Sequence, residues 1–154
     1  MSAAISVITL AVEDLERAVC FYRDGLGWST KGIIGEGLPN ARVAFFNLAG
    51  GQKLALWPRA SLLAETGWAA ASRGLSDPAS PTRSAEGSPP RILLSHNVSD
   101  AEQVDQLLQR AVQAGACCVR APYAPVWGGR VAFFTDLDAH LWELAWNPGF
   151  QFIA

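Results

Sequence analysis

The chain has 154 residues, of which 50% are hydrophobic and 17% charged, with a formal net charge of -2. That is enough apolar side chain for one compact unit, or for two half-size modules sharing a core, and it excludes global disorder. With 12 Lys+Arg against 14 Asp+Glu and no basic block, nucleic acid is not an expected partner. No apolar run reaches the roughly 18 to 20 residues that span a bilayer, so no membrane association is expected either.

Residues 5–12 are β-branched and apolar and read as a first strand. Glu13 and Asp14 interrupt this stretch before it could serve as a secretory h-region, and a cytoplasmic location is the expectation. Asp14 stands where it can cap a helix running through Leu15, Ala18, Val19 and Tyr22, which Gly25 and Gly27 then stop. Further strands follow, among them those around Arg42 to Phe46 and Lys53 to Trp57. A short helix is expected over 61–72, and the Ser, Pro, Gly and Ala of 74–90 have linker composition. The pattern then restarts. A strand around Leu93 to Asn97 leads to a cap at Ser99 or Asp100, a helical stripe of Val104, Leu107, Leu108, Ala111 and Val112, and Gly115 as terminator. Cys20, Cys117 and Cys118 have no metal-ligand spacing and read as reduced, mostly structural thiols.

The restart is a repeat. Arg42-Val43-Ala44-Phe45-Phe46 recurs letter for letter as Arg130-Val131-Ala132-Phe133-Phe134, 88 positions later. The following strands align at the same offset, Ala55 with Glu143 and Leu56 with Leu144, and both end in Trp and then Pro. The strands that open each half align at an offset of 86, Val7 with Leu93 and Asp14 with Asp100. Each half therefore reads as β-α-β-β-β. The divisions are 1–58 for the first module, 59–90 for the short helix and linker, and 91–154 for the second module.

The segment ITLAVEDLERAVCFYRDGLGW resembles the first strand and helix of the vicinal oxygen chelate superfamily, that is, the glyoxalase/bleomycin resistance protein/extradiol dioxygenase group. GGRVAFFTDLDAHLWELAWNP resembles its final hairpin, although Asp136-Leu137-Asp138-Ala139-His140 departs from the family's usual Asp-Pro-Asp-Gly turn. The resemblance implies an α+β fold in which two tandem βαβββ modules form a cup-shaped, barrel-like mixed sheet with helices outside. It also implies a divalent metal held by one residue on each of four strands. Those positions fall here on Val7, Ala55, Leu93 and Glu143, and only Glu143 carries a metal-ligating group, so no metal is expected.

Strand alternation selects the residues that share a face with Glu143. Thr9, Phe45, Trp57, Ser95, Asn97 and Phe133 lie on that face by count and are the candidate ligand-binding residues with Glu143. Trp127, beside Gly128 and Gly129 in the loop before the final hairpin, joins them as a possible closing wall. His96 and His140 fall at odd spacings from the ligand positions and read as structural. Arg42 and Arg130, paired by the repeat, read as solvated strand entrances.

The expected function is binding of a small, partly apolar molecule in the cup between the modules without the usual metal. The alternative is a glyoxalase-like lyase or isomerase or a dioxygenase, either metal-dependent or using Glu143 as general base. A homodimer is expected, since six Trp in so small a chain suggest aromatic surface to cover.

Overall fold

The structure, a computed structural model, describes residues 5–67 and 91–149. The first half runs β1 (Val7–Val12), α1 (Leu15–Cys20), β2 (Thr30–Ile34), β3 (Val43–Asn47) and β4 (Lys53–Pro58). A connecting helix, α2 (Arg59–Thr66), begins two residues before the expected position and ends at Gly67 in the left-handed conformation. The second half runs β5 (Leu93–Asn97), α3 (Ala101–Gln113), β6 (Cys117–Tyr123), β7 (Arg130–Thr135) and β8 (Leu141–Trp146). The expected linker over 74–90, and the end of the helix expected over 61–72, lie outside the described residues.

Both predicted caps form. Asp14 accepts from the backbone N–H of Arg17 and Asp100 from that of Gln103, each at 2.9 Å, which satisfies a donor that the first helical turn would leave unpaired. The first helix does not reach Gly25 as a regular α-helix. It widens into a π-helical turn over Phe21–Gly25, where Leu26 donates to the carbonyl of Phe21.

Each half builds one four-stranded mixed sheet, ordered β1-β4-β3-β2 and β5-β8-β7-β6. The registers reproduce the repeat. Thr9 pairs with Ala55 and Phe45 with Ala55 in the first sheet, while Ser95 pairs with Glu143 and Phe133 with Glu143 in the second. The two Arg-Val-Ala-Phe-Phe segments thus occupy equivalent places. Their arginines are equivalent too, since Arg42 pairs with Glu16 of α1 and Arg130 with Asp105 of α3, tying a strand to the helix of its own module.

The α+β class and the tandem modules stand as read from the sequence, but the two sheets do not close into one barrel. Each sheet buries large apolar side chains on the face opposite Glu143: Leu10, Phe46, Leu54 and Leu56 in the first, Phe134, Trp142 and Leu144 in the second. Burying these contributes about 1.5–3 kcal/mol for each large side chain fully buried. The helices cover these faces, and both covered faces meet in one hydrophobic cluster with α1, its π-helical turn and α3 inside it. Within one chain the Glu143-type face of each sheet therefore lies on the side opposite this cluster.

A polar junction ties the halves. Asp136, 5% exposed in the β7–β8 turn, accepts from the Tyr22 hydroxyl at 2.5 Å, from the backbone N–H of His140 at 2.8 Å and from that of Asp138 at 3.0 Å. The His140 ring nitrogen Nδ1 lies 2.8 Å from the same carboxylate. The Trp142 indole N–H donates to the Tyr22 oxygen at 3.1 Å. Burial pushes the Asp136 carboxyl up, but the hydrogen bonds from His140 and Tyr22 and the charge of His140 outweigh it and hold the group below its ordinary value. Burial pushes His140 down, and its hydrogen bond and charge interaction with Asp136 reverse that to a net rise. Burial and the neighbouring Asp136 charge raise the Tyr22 hydroxyl well above 10.0. The backbone N–H of Glu13 adds a further link to Asp138 at 2.9 Å.

Candidate functional site

The outer face of the second sheet carries a single rung of chemistry. Ser95 on β5, Glu143 on β8, Phe133 on β7 and Arg120 on β6 are successive neighbours across the four strands. The Ser95 hydroxyl donates to the Glu143 carboxylate at 2.5 Å. At the far end the Arg120 guanidinium lies 3.5 Å from the centre of the Tyr123 ring. One rung further along, Asn97, Ala145 and Val131 line up, with Ala145 and Val131 buried.

The first sheet repeats the arrangement with different chemistry. Thr9, Ala55 and Phe45 form the equivalent rung, so a buried Ala55 stands where the second sheet has Glu143. Lys53 places its ammonium 5.6 Å from the Phe45 ring centre. A hollow of about 470 Å³ lies here, with Thr30, Lys31, Phe45, Asn47 and Lys53 on its walls. The Trp57 indole N–H donates to the Asn40 carbonyl at 2.8 Å, which fixes that side chain at the edge of the face.

Of the residues named from the sequence, Ser95, Glu143 and Phe133 come together in one rung with Asn97 beside them, and Thr9 and Phe45 come together in the other. Among the described residues no strand pairing or hydrogen bond links the two groups. Trp127 is 53% exposed in the loop between β6 and β7 and folds over Gly129. His96 lies on the helix-covered side, its ring 5.6 Å from that of Trp28, and burial lowers its pKa. His140 belongs to the Asp136 junction. The three cysteines are exposed, contrary to the structural role read from the sequence, because Cys117 and Cys118 fall on the edge strand β6 and Cys20 on the open side of α1.

Sequence reasoning missed Arg120, Lys31, Thr30 and Asn47. Asn47 could have been counted by twos from Phe45. The β2 residues could not, because the pairing of β2 with β3 shifts register between Thr30 and Ile33 and breaks the alternation.

The residues present do not fit the divalent metal that the fold resemblance implies. At the four ligand positions Val7, Ala55 and Leu93 offer no donor atom, and the Glu143 carboxylate is already engaged by Ser95. Among the described residues no group of three or more His, Cys, Asp or Glu is arranged to hold a metal ion, and no helix is long and apolar enough to cross a membrane.

Comparison with known proteins agrees with this architecture. No curated protein matches the chain. Among solved structures, a glyoxalase-related enzyme from Fulvimarina pelagi matches with 30% identity and a TM-score of 0.70, covering 94% of this chain and 88% of that one. A lactoylglutathione lyase from Agrobacterium tumefaciens shares the fold at 22% identity and a TM-score of 0.60, covering 97% of this chain and 98% of its own. A genomically encoded fosfomycin resistance protein from Listeria monocytogenes does so at 19% identity and a TM-score of 0.63, covering 97% of both chains. A family model matches residues 4–144, and with the doubled βαβββ topology this shows that the chain belongs to the Glyoxalase/Bleomycin resistance protein/Dioxygenase superfamily.

Proposed function

We propose that this protein binds a small, partly apolar molecule against the Glu143 face, without a metal, in a cup that two copies of the chain complete together. The observation that carries this reading is the rung Ser95–Glu143–Phe133, which puts one hydrogen-bonded carboxylate beside an aromatic ring on a face floored by Ala145 and Val131. A few polar anchors on an apolar wall are the usual make-up of a small-molecule site. The face is open in the single chain, where Val7 and Leu93 are each 44% exposed. A two-fold homodimer would set the Thr9–Ala55–Phe45 rung of one copy against the Ser95–Glu143–Phe133 rung of the other, twice over, and cover both.

A second reading draws on the Fulvimarina pelagi relative, whose description is that of a glyoxalase-related enzyme. Here Glu143 is the proton acceptor of a lyase or isomerase. Light scattering at micromolar concentration tests the dimer, and native mass spectrometry of the purified protein tests for a retained ligand. Glu143→Gln then separates the readings. An anchoring role leaves binding of the retained ligand within about tenfold of wild type. A general-base role preserves binding while turnover falls by about a hundredfold or more. A monomer only, or unchanged binding and turnover in both Glu143→Gln and Glu143→Ala, would refute the assignment.

A further inference from the structure

A second hollow lies where the modules meet, lined by core-side residues such as His96 and Trp142 and reaching Ser95 and Asn97 of the Glu143 face. It has a volume of about 830 Å³, within the range of small-molecule sites. Trp28, which follows the π-helical turn, crosses Trp142 of β8 at 5.5 Å between ring centres and 75° between planes, with Tyr22 at 5.5 Å and His96 of β5 at 5.6 Å as further ring neighbours. Ile8 from the first sheet, Leu94 from the second and Trp146 at the end of β8 complete the apolar wall. The lining draws on both modules and includes no Asp, Glu, Lys or Arg among the described residues.

Some polar groups of this hollow are already spent: Ser95 donates to Glu143, Ser99 donates to Asp100, and the Asn147 side-chain oxygen accepts from the backbone N–H of Gly149. The Trp142 indole N–H is taken by Tyr22. The indole N–H groups of Trp28 and Trp146 and the ring nitrogens of His96 make no hydrogen bond among the described residues, and none of them is sealed from solvent without a partner. Two unspent indole donors and an imidazole therefore belong to the residues that line the hollow. A charged ligand would find no counter-ion among the described residues that line it and would lose its hydration. A flat, uncharged ring system would keep edge and face contacts with the three aromatic walls, and a carbonyl on it would accept from an indole N–H.

We infer that this inter-module hollow is a second binding site, adjoining the Glu143 face at Ser95 and Asn97, that takes uncharged planar aromatic molecules bearing a hydrogen-bond acceptor. Coumarin, flat and neutral with a lactone carbonyl, is the probe, and coumarin-3-carboxylate is its charged counterpart. The ¹⁵N-labelled protein is titrated with each, and the indole N–H resonances are assigned with single Trp→Phe variants. The expected result is saturable one-to-one binding of coumarin that moves the Trp28 and Trp146 resonances. The carboxylate should bind at least tenfold more weakly. Ala49 lies at the rim on an exposed turn, so Ala49→Trp should block the hollow without disturbing the core and weaken coumarin at least tenfold. The inference is overturned by shifts confined to Trp57 or Trp127, by equal affinity for the two probes, by unchanged affinity in Ala49→Trp, or by no saturation up to the solubility of coumarin.

Discussion

Tyr22→Phe removes one oxygen from the junction between the modules and leaves the ring in place. The hydroxyl has two jobs there. It donates to the buried Asp136 carboxylate at 2.5 Å and accepts from the Trp142 indole N–H at 3.1 Å. Loss of a hydrogen bond to a charged group costs about 1.5–3 kcal/mol, and a buried donor left unpaired costs about 1–3 kcal/mol. The two penalties share one atom and do not add fully, so the net expectation is about 2–4 kcal/mol. For a chain of this size that lowers the melting temperature by roughly 5–15 °C. The loss should also depend on pH. Asp136 has a folded-state pKa below its unfolded value, so its stabilisation is fully present above about pH 4 and fades as pH falls through the folded value. The deficit of Tyr22→Phe is therefore full at pH 7 and narrows below about pH 4. Thermal unfolding followed by circular dichroism reads both effects. A drop of less than 2 °C at pH 7, or additivity with Asp136→Asn in the double variant, would refute the reasoning.

His140 carries the opposite sign. Its folded pKa is raised, so its stabilisation is complete below its unfolded value near 6.5 and is lost as pH rises through the folded value. Urea unfolding between pH 6 and 9 should show this decline in wild type and a flatter profile in His140→Gln; parallel profiles would count against the pairing. Gly129 and Gly32 make a matched pair. Both have positive φ, but a Cβ at Gly129 would stand 2.3 Å from the Trp146 carbonyl oxygen, whereas one at Gly32 meets nothing within 4 Å. Gly32→Ala should cost about 1 kcal/mol of backbone strain, and Gly129→Ala about 1–3 kcal/mol more, measured by the same unfolding; equal losses would show that the close approach is relieved at no cost.

The architecture of each half was legible because it is written locally and twice. Strand alternation fixed which residues accompany Glu143, and the shift from 86 to 88 between the paired segments survives in the strand registers, where Thr9 meets Ala55 as Ser95 meets Glu143. What could not be read was how the halves face each other. Tyr22 sits on the apolar stripe of a helix and Asp136 in a turn, and no local period records that they will bond across 114 positions. Trp28 follows the π-helical turn, where helical counting no longer predicts a direction. The outward orientation of the Glu143 face rests on the same inter-module contacts, so it was hidden with them.

The Tyr22–Asp136 bond also breaks the symmetry of the repeat. At the offsets that relate the halves, Tyr22 corresponds to Leu108 and Asp136 to Leu48. A first module docked on another first module would set the Tyr22 hydroxyl against Leu48, with no carboxylate to receive it. Two second modules docked together would leave Asp136 buried against Leu108, short of a donor, at a cost of a few kcal/mol. Only the pairing of unlike halves satisfies both groups. Duplicated segments of near-identical shape are prone to assemble with the wrong copy, and this one buried carboxylate gives each half a means of recognising the other.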